Sequence, residues 1–148
     1  MAHHQIVHWT RHANRCYQEM EVNTANQIEL ILLLYNGAIH HLNLAKQHAL
    51  AQEIDRRGAA ISRAVALICE LQTSLDPQKG KDIAANLARL YDYMLRRLTL
   101  ANIKGEVEPI TEVMRLLSNL ASAWKEVNDR QMAAPAGGEV RTLQRAAV

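Results

Sequence analysis

Cysteine is scarce in this sequence, which has only Cys16 and Cys69 among its 148 residues. The two residues lie in different segments and match no metal-binding spacing. Neither a disulfide framework nor a cysteine-based metal site is therefore expected, and reduced thiols are the simpler interpretation.

Long apolar runs are also absent. The longest run, "LILLLY" at residues 30–35, is far shorter than the roughly 20 residues that span a bilayer. The N-terminal stretch "MAHHQIVHWTRHANRCY" has no continuous apolar core and no small-residue cleavage site, so it does not have the pattern of a secretory signal. We expect no membrane insertion, and a cytoplasmic location is the default expectation.

The sequence also lacks a block of one charge and the common catalytic motifs. Its 17 Lys and Arg residues and 15 Asp and Glu residues are interspersed, which does not favour nucleic acid as a partner. There is no Gly-x-Ser-x-Gly elbow and no Gly-rich phosphate loop, and no base is evident beside Cys16. The pattern predicts a protein that is not an enzyme and needs no cofactor.

Histidine, in contrast, is plentiful. The seven histidines are His3, His4, His8, His12, His40, His41 and His48. His8 and His12 would share one face of a helix, but no Glu-x-x-His motif of the kind found in bundle di-metal sites is present. Solvated histidines are the favoured interpretation. A metal-binding or sensory helical bundle that uses these histidines is the alternative function.

Hydrophobic periodicity is helical throughout the chain and predicts four helices of similar length. The first runs from about residue 27 to 52, with Asn26 as its cap, and the second ends near Asp76 and Pro77. The third covers about residues 81–103 and ends before Gly105, and the fourth begins around Pro109. The predicted core stripes of the first, second and fourth helices are Ile28, Ile31, Tyr35, Ala38, Leu42, Ala45 and Ala49; Ile61, Ala64, Val65, Ile68, Leu71 and Leu75; and Ile110, Val113, Leu117, Leu120, Trp124 and Val127.

Short links between helices of this length predict an all-α, antiparallel, up-down four-helix bundle. We assign residues 26–128 to the bundle and residues 1–25 to a mobile N-terminal arm. Residues 129–148 are rich in Ala, Gly and Pro and are assigned to a flexible tail, in which residues 139–147 could form a short helix.

The third predicted helix carries more apolar residues than one face requires. Its core stripe is Ile83, Leu87, Leu90, Met94 and Ala101, and a second stripe beside it is Ala88, Tyr91, Leu95, Leu98 and Asn102. The first helix has a similar excess at Leu30, Leu33, Leu34 and Leu44. Such a stripe is covered by the chain's own arm, by a second copy of the chain or by another partner, unless the core stripe is simply wide. Periodicity alone leaves these alternatives open.

Three blocks of the sequence, in order, resemble the flagellar secretion chaperone FliS family. They are "YQEMEVNTANQIELILLLYNGAIHHLNLAK" at residues 17–46, "ELQTSLDPQKGKDIAANLARLYDYMLRRLTLAN" at residues 70–102, and "EPITEVMRLLSNLASAWKEV" at residues 108–127. The chain departs from the family pattern at Asn36, where Asp is usual, at Lys81, where a second Gly is usual, and at Gly105, where Asp is common.

This resemblance implies a flagellar export chaperone that binds the disordered C-terminal segment of flagellin in apolar surface grooves. Binding would prevent premature polymerisation and keep the client competent for secretion, and the N-terminal arm would cover the groove until the client displaces it. A second expected partner, in the absence of the client, is another copy of the same chain in a homodimer. By position in the matching blocks, the expected partner-binding residues are Tyr17, as arm anchor, with Leu30, Leu34, Tyr91, Leu95, Leu98 and Asn102. Tyr35, Met94 and Trp124 are expected in the core.

Overall fold

Four helices joined by three-residue links account for the part of the chain that the structure describes. The computed structural model describes the backbone of residues 24–133 and the side chains of residues 27–133. The helices are α1 (Thr24–Leu50), α2 (Ile54–Thr73), α3 (Pro77–Lys104) and α4 (Glu108–Ala133), and no strand occurs in this range. The predicted all-α fold is confirmed. Residues 1–23 of the predicted arm and the predicted short C-terminal helix lie outside the described residues, whereas residues 24–25, also assigned to the arm, begin α1.

The helices form a ring in which each one packs against two neighbours. Helix α1 contacts α2 and α4, and α3 completes the ring by contacting the same two helices. The links at residues 51–53, 74–76 and 105–107 are too short for a crossover, so consecutive helices run antiparallel. None of these four helices combines the length and the apolar character that crossing a membrane would require.

The core follows the predicted stripes of α1, α2 and α4 closely. Fully buried residues on these helices are Ile28, Ile31, Tyr35, Ala38, Leu42 and Ala45; Ile61, Ala64, Ile68 and Leu71; and Ile110, Val113 and Leu117. Ala49, Val65, Leu75, Leu120 and Trp124 are half-buried and pack against this cluster. The spacing of three and four residues therefore identifies the inward face of each of these helices.

Three predicted helix boundaries are wrong. Helix α3 begins at Pro77 instead of about residue 81, because Asp76 caps a first turn that precedes the kink at Lys81. Helix α1 begins at Thr24, so Asn26 lies inside the helix instead of capping it. Helix α4 continues to Ala133, and residues 129–133, which were assigned to a flexible tail, are helical. Asn128 and Gln131 are half-buried, so the last turns of α4 still pack on one face although they contain few large apolar residues.

The end of α3 is fixed by a glycine and by an arginine from α2. Gly105 adopts φ 71°, a left-handed conformation, and its N–H donates to the Ala101 carbonyl, as the predicted helix end requires. Arg57 is only 8 % exposed, and its Nη2 donates to the Asn102 carbonyl at 2.9 Å. A cation at a helix C-terminus complements the helix dipole, so this contact couples the start of α2 to the end of α3.

A Gly105→Ala substitution should lower the free energy of unfolding by about 1–2 kcal/mol, because φ is positive there and side chains rarely tolerate it. A Cβ at this position would also lie 2.7 Å from Arg57 Nη1. Urea unfolding followed by circular dichroism measures the change. Gly58→Ala is the matched control, because its Cβ would meet Asn102 Oδ1 at an ordinary 3.5 Å inside α2. An equal loss in both variants would contradict this explanation.

Candidate functional site: the two flanks of α3

The structure places the predicted partner-binding residues in two different environments. Leu30 and Leu95 are half-buried and Asn102 is exposed, so these three are open to a partner. Leu34, Tyr91 and Leu98 are 5 %, 2 % and 0 % exposed, respectively. Tyr17 lies outside the described residues. The seven predicted residues therefore do not form one open surface, although contact of any of them with a partner stays a prediction.

The predicted division of α3 into a core stripe and a separate binding stripe is wrong. Tyr91 and Leu98 belong to the same buried cluster as Met94. Ile83, which was assigned to the core stripe, is 40 % exposed, and Leu87 and Leu90 are only half-buried. The buried face of α3 is centred between the two predicted stripes, on Ala84, Tyr91, Met94, Leu98 and Ala101.

The physical reason is that α3 packs against two neighbours and must bury a wide sector. One flank faces α2, where the Gln72 amide donates to Asp92 Oδ1 at 2.7 Å and approaches the Ala88 carbonyl at 3.5 Å. The opposite flank faces α4, where Arg97 bonds to Glu112. Packing within the bundle therefore accounts for most of the apolar residues on both flanks. This agrees with the alternative in which the core stripe of the helix is simply wide.

A polar cluster closes the seam between α3 and α4. Arg97 donates from Nη2 to Glu108 Oε2 at 2.9 Å and from Nε to Glu112 Oε2 at 3.1 Å, and the Tyr93 hydroxyl donates to Glu112. The hydrogen bond from Tyr93, together with the nearby Arg97 charge, lowers the pKa of the Glu112 carboxyl. These contacts lie at the surface, so they orient the two helices more than they stabilise them.

Two tyrosine hydroxyls meet inside the apolar core. Tyr35 of α1 and Tyr91 of α3 are hydrogen-bonded through their hydroxyls, and both rings are buried. Burial raises the pKa of the Tyr35 phenol, although its contacts with Tyr91 and the Trp124 indole act in the opposite direction. A buried polar pair needs this mutual satisfaction, so the contact specifies how α3 is rotated relative to α1. Of the three residues expected in the core, Tyr35 and Met94 are fully buried and Trp124 is half-buried.

Several strongly exposed apolar side chains were not selected from the sequence as binding residues. Leu50, Ile54 and Ile103 are 68 %, 65 % and 76 % exposed, and they lie at the end of the bundle where α1 meets α2 and α3 meets α4. Leu33, on α1, is 67 % exposed. In the sequence, all four differ from core residues only in lying outside the stripes of three-four spacing. Apolar residues at helix ends and on polar faces show the same pattern, so it does not identify a binding surface.

The histidines of the described range do not form a metal centre. Within residues 27–133, no group of three His, Cys, Asp or Glu side chains is arranged to hold an ion. Burial lowers the pKa of His41, and the neighbouring His40 and Arg63 lower it further. His48 lies 3.4 Å from Glu53 across the α1–α2 link. His3, His4, His8 and His12 lie outside the described residues.

Comparison with known proteins yields one consistent family. Residues 10–131 match the family described as "Flagellar protein FliS". The "Flagellar secretion chaperone FliS" of Salmonella typhimurium is 40 % identical over 113 residues, which cover 76 % of this chain and 84 % of that protein. The protein of the same name from Bacillus subtilis is 36 % identical over 110 residues, covering 74 % and 81 %. "Flagellar secretion chaperone FliSB" of Pseudomonas aeruginosa is 34 % identical, covering 74 % and 87 %.

Leu98→Ala should lower the free energy of unfolding by about 2–5 kcal/mol, because it removes a fully buried side chain and leaves a cavity. Chemical denaturation measures the loss. The control is Ile103→Ala on the same helix, which should change stability by less than about 0.5 kcal/mol because Ile103 is exposed. A small effect of Leu98→Ala would contradict a core position for Leu98 and support its predicted role in partner binding.

Tyr35→Phe and Tyr91→Phe should show non-additive losses of stability. Each single variant removes one hydroxyl from a buried pair, so the double variant should recover part of the summed loss, with a coupling of about 0.5–1.5 kcal/mol. Thermal unfolding of the four proteins in the cycle measures the coupling. Tyr93→Phe is the control: it removes a hydroxyl that is hydrogen-bonded to Glu112 at the surface, and it should cost less than about 0.5 kcal/mol because surface polar contacts contribute little. Strict additivity would show that the hydroxyl pair contributes nothing.

Proposed function

The chain belongs to the FliS family, and from this premise we propose that it is an export chaperone for flagellin, which it binds by the disordered C-terminal segment. The match of residues 10–131, which includes the whole described bundle to within two residues of its end, is the observation that carries the proposal. Bound to the chaperone, the segment would be unable to polymerise and would stay unfolded for secretion. We propose further that the chain acts in the cytoplasm, as a binding protein without enzymatic activity.

The accessible candidates for client contact are Leu30, Leu95 and Asn102. Helices α1 and α3 run in the same direction, and Leu30 lies near the start of α1 whereas Asn102 lies near the end of α3. The two residues are therefore at opposite ends of the bundle, on helices that are not neighbours in the ring. In this proposal an extended segment that wraps round the bundle contacts both residues.

Leu95 is the centre of the proposed contact on α3. It is half-buried, packs against the core cluster and lies on the flank that faces α2, one turn from the buried Tyr91 and Leu98. A client side chain could cover its remaining exposed surface without disturbing the core. In this proposal, Leu34, Tyr91 and Leu98 act indirectly: Leu34 supports Leu30, one turn away on α1, and Tyr91 and Leu98 support Leu95 on α3. Tyr17 keeps its proposed role as the anchor of an arm that covers the groove.

The energetics of such a contact suit a chaperone. A disordered segment pays for its own ordering when it binds, so each unit of buried apolar area yields less affinity than a rigid partner would obtain. The client is then held firmly enough to block polymerisation and is still released for export. The accessible apolar side chains of the described residues are mainly leucines and isoleucines, with the half-buried Met114 and the exposed Met132, and the methionines adapt readily to an irregular segment.

A peptide with the sequence of the flagellin C-terminal segment should bind the full chain at a Kd of about 1 μM or tighter by isothermal titration calorimetry, in the affinity range of specific peptide recognition. Leu95→Asp should weaken binding at least about tenfold per folded molecule, because it places a charge in an apolar contact. Ile83→Asp, on the α4-facing flank of the same helix, is the matched control and should bind like the unmodified chain. Equal affinities for all three proteins would remove Leu95 from the site.

Zinc titration of the same protein separates this function from the alternative of a metal-binding bundle. Stoichiometric zinc uptake without peptide binding would contradict the chaperone and support a role for the histidines. Peptide binding that is unaffected by a chelator is the result that the chaperone function requires.

A further inference from the structure

The first turn of α3 is a separate, capped unit. Asp76 precedes the helix, and its Oδ1 accepts hydrogen bonds from the N–H groups of Gln78 and Lys79 at 2.9 and 3.2 Å. The Gly80 N–H donates to the Asp76 carbonyl at 2.8 Å and completes the turn. Pro77 occupies the first helical position, where its missing N–H costs nothing. The N–H groups of residues 78–80 are thus all bonded within the turn, to Asp76.

Lys81 interrupts the helix directly after this turn. Its φ of 44° and ψ of −120° are not helical, so α3 is a short turn followed by a long helix. Positive φ strains any residue with a Cβ, and only glycine adopts this conformation readily. No glycine relieves the strain here, so the conformation of Lys81 costs free energy that opening of the turn would recover.

Few contacts hold the turn against the bundle. Gly80 is buried, but Pro77, Gln78, Lys79 and Lys81 are all exposed. Because glycine has no side chain, its burial removes little apolar area from water. Helix α3 as a whole also packs less closely on its two neighbours than α1 packs on α2 and α4. The strained junction therefore has weak support from the rest of the molecule.

We propose that residues 76–81 form a joint that opens as a unit while the four-helix core stays folded. Opening releases the strain at Lys81, withdraws Gly80 from the bundle and costs only local hydrogen bonds. The segment belongs to the low-stability end of the molecule, where sub-global opening is expected. Such a joint lets the long part of α3 adjust against α2 without loss of the core, a property separate from client binding.

Amide hydrogen exchange of the full chain, followed by NMR, tests the joint. After correction for intrinsic rates, the Gly80 amide should exchange at least a hundredfold faster than the Met94 amide in the middle of α3. Its rate should hardly change in low urea, whereas the Met94 rate should rise steeply with urea, since Met94 exchanges by global unfolding. Equal protection and equal urea dependence of the two amides would overturn the proposal.

Two lysine variants distinguish a strained joint from simple fraying of a helix end. Lys81→Gly should slow Gly80 exchange about fivefold, because glycine accepts the positive φ. Lys79→Gly, two residues earlier within the turn, should leave the rate unchanged or raise it, because glycine is a poorer helix former. Ordinary fraying would not respond to Lys81→Gly, so an unchanged or faster Gly80 rate in that variant would also overturn the proposal.

Discussion

Each helix in a closed ring of four has two neighbours, so α3 must bury a wide sector of its surface. The side towards α2 carries the contact of Gln72 with Asp92, and the side towards α4 carries Arg97 with Glu108 and Glu112. Between them lies the buried centre of the helix, which includes Tyr91 and Leu98. An apolar stripe that exceeds the needs of one helix–helix contact thus packs against the second neighbouring helix.

Polar contacts fix the rotations of the helices, which apolar packing alone would not determine. The hydroxyl pair of Tyr35 and Tyr91 links α1 to α3 inside the core, and Arg57 links the start of α2 to the end of α3. Apolar side chains pack in many rotations, but a buried hydroxyl or guanidinium has few ways to be satisfied. The half-buried and exposed residues proposed for client contact therefore have a defined place on a helix whose rotation is fixed from within.

Periodicity was sufficient to predict the all-α bundle and the inward faces of α1, α2 and α4, because burial against a core repeats at the helical period. It failed for α3 since a helical wheel shows which side is apolar but not whether a neighbour or a partner covers it. The helical residues after Asn128 were missed for a related reason, as polar half-buried turns have no strong pattern. Neither the burial of Arg57 nor the positive φ of Lys81 has any periodic signal, because both depend on tertiary geometry. Only the resemblance to a family pattern pointed to Lys81 as unusual.

The proposed function joins these features into one account, in which a stable core carries a client along half-buried flanks. On this proposal the chain keeps flagellin from polymerising. Light scattering of monomeric flagellin under polymerising conditions, with and without an equimolar amount of the chain, tests this effect. Polymerisation should be suppressed at this ratio, whereas filament growth that is unaffected even by an excess of the chain would contradict the proposed function.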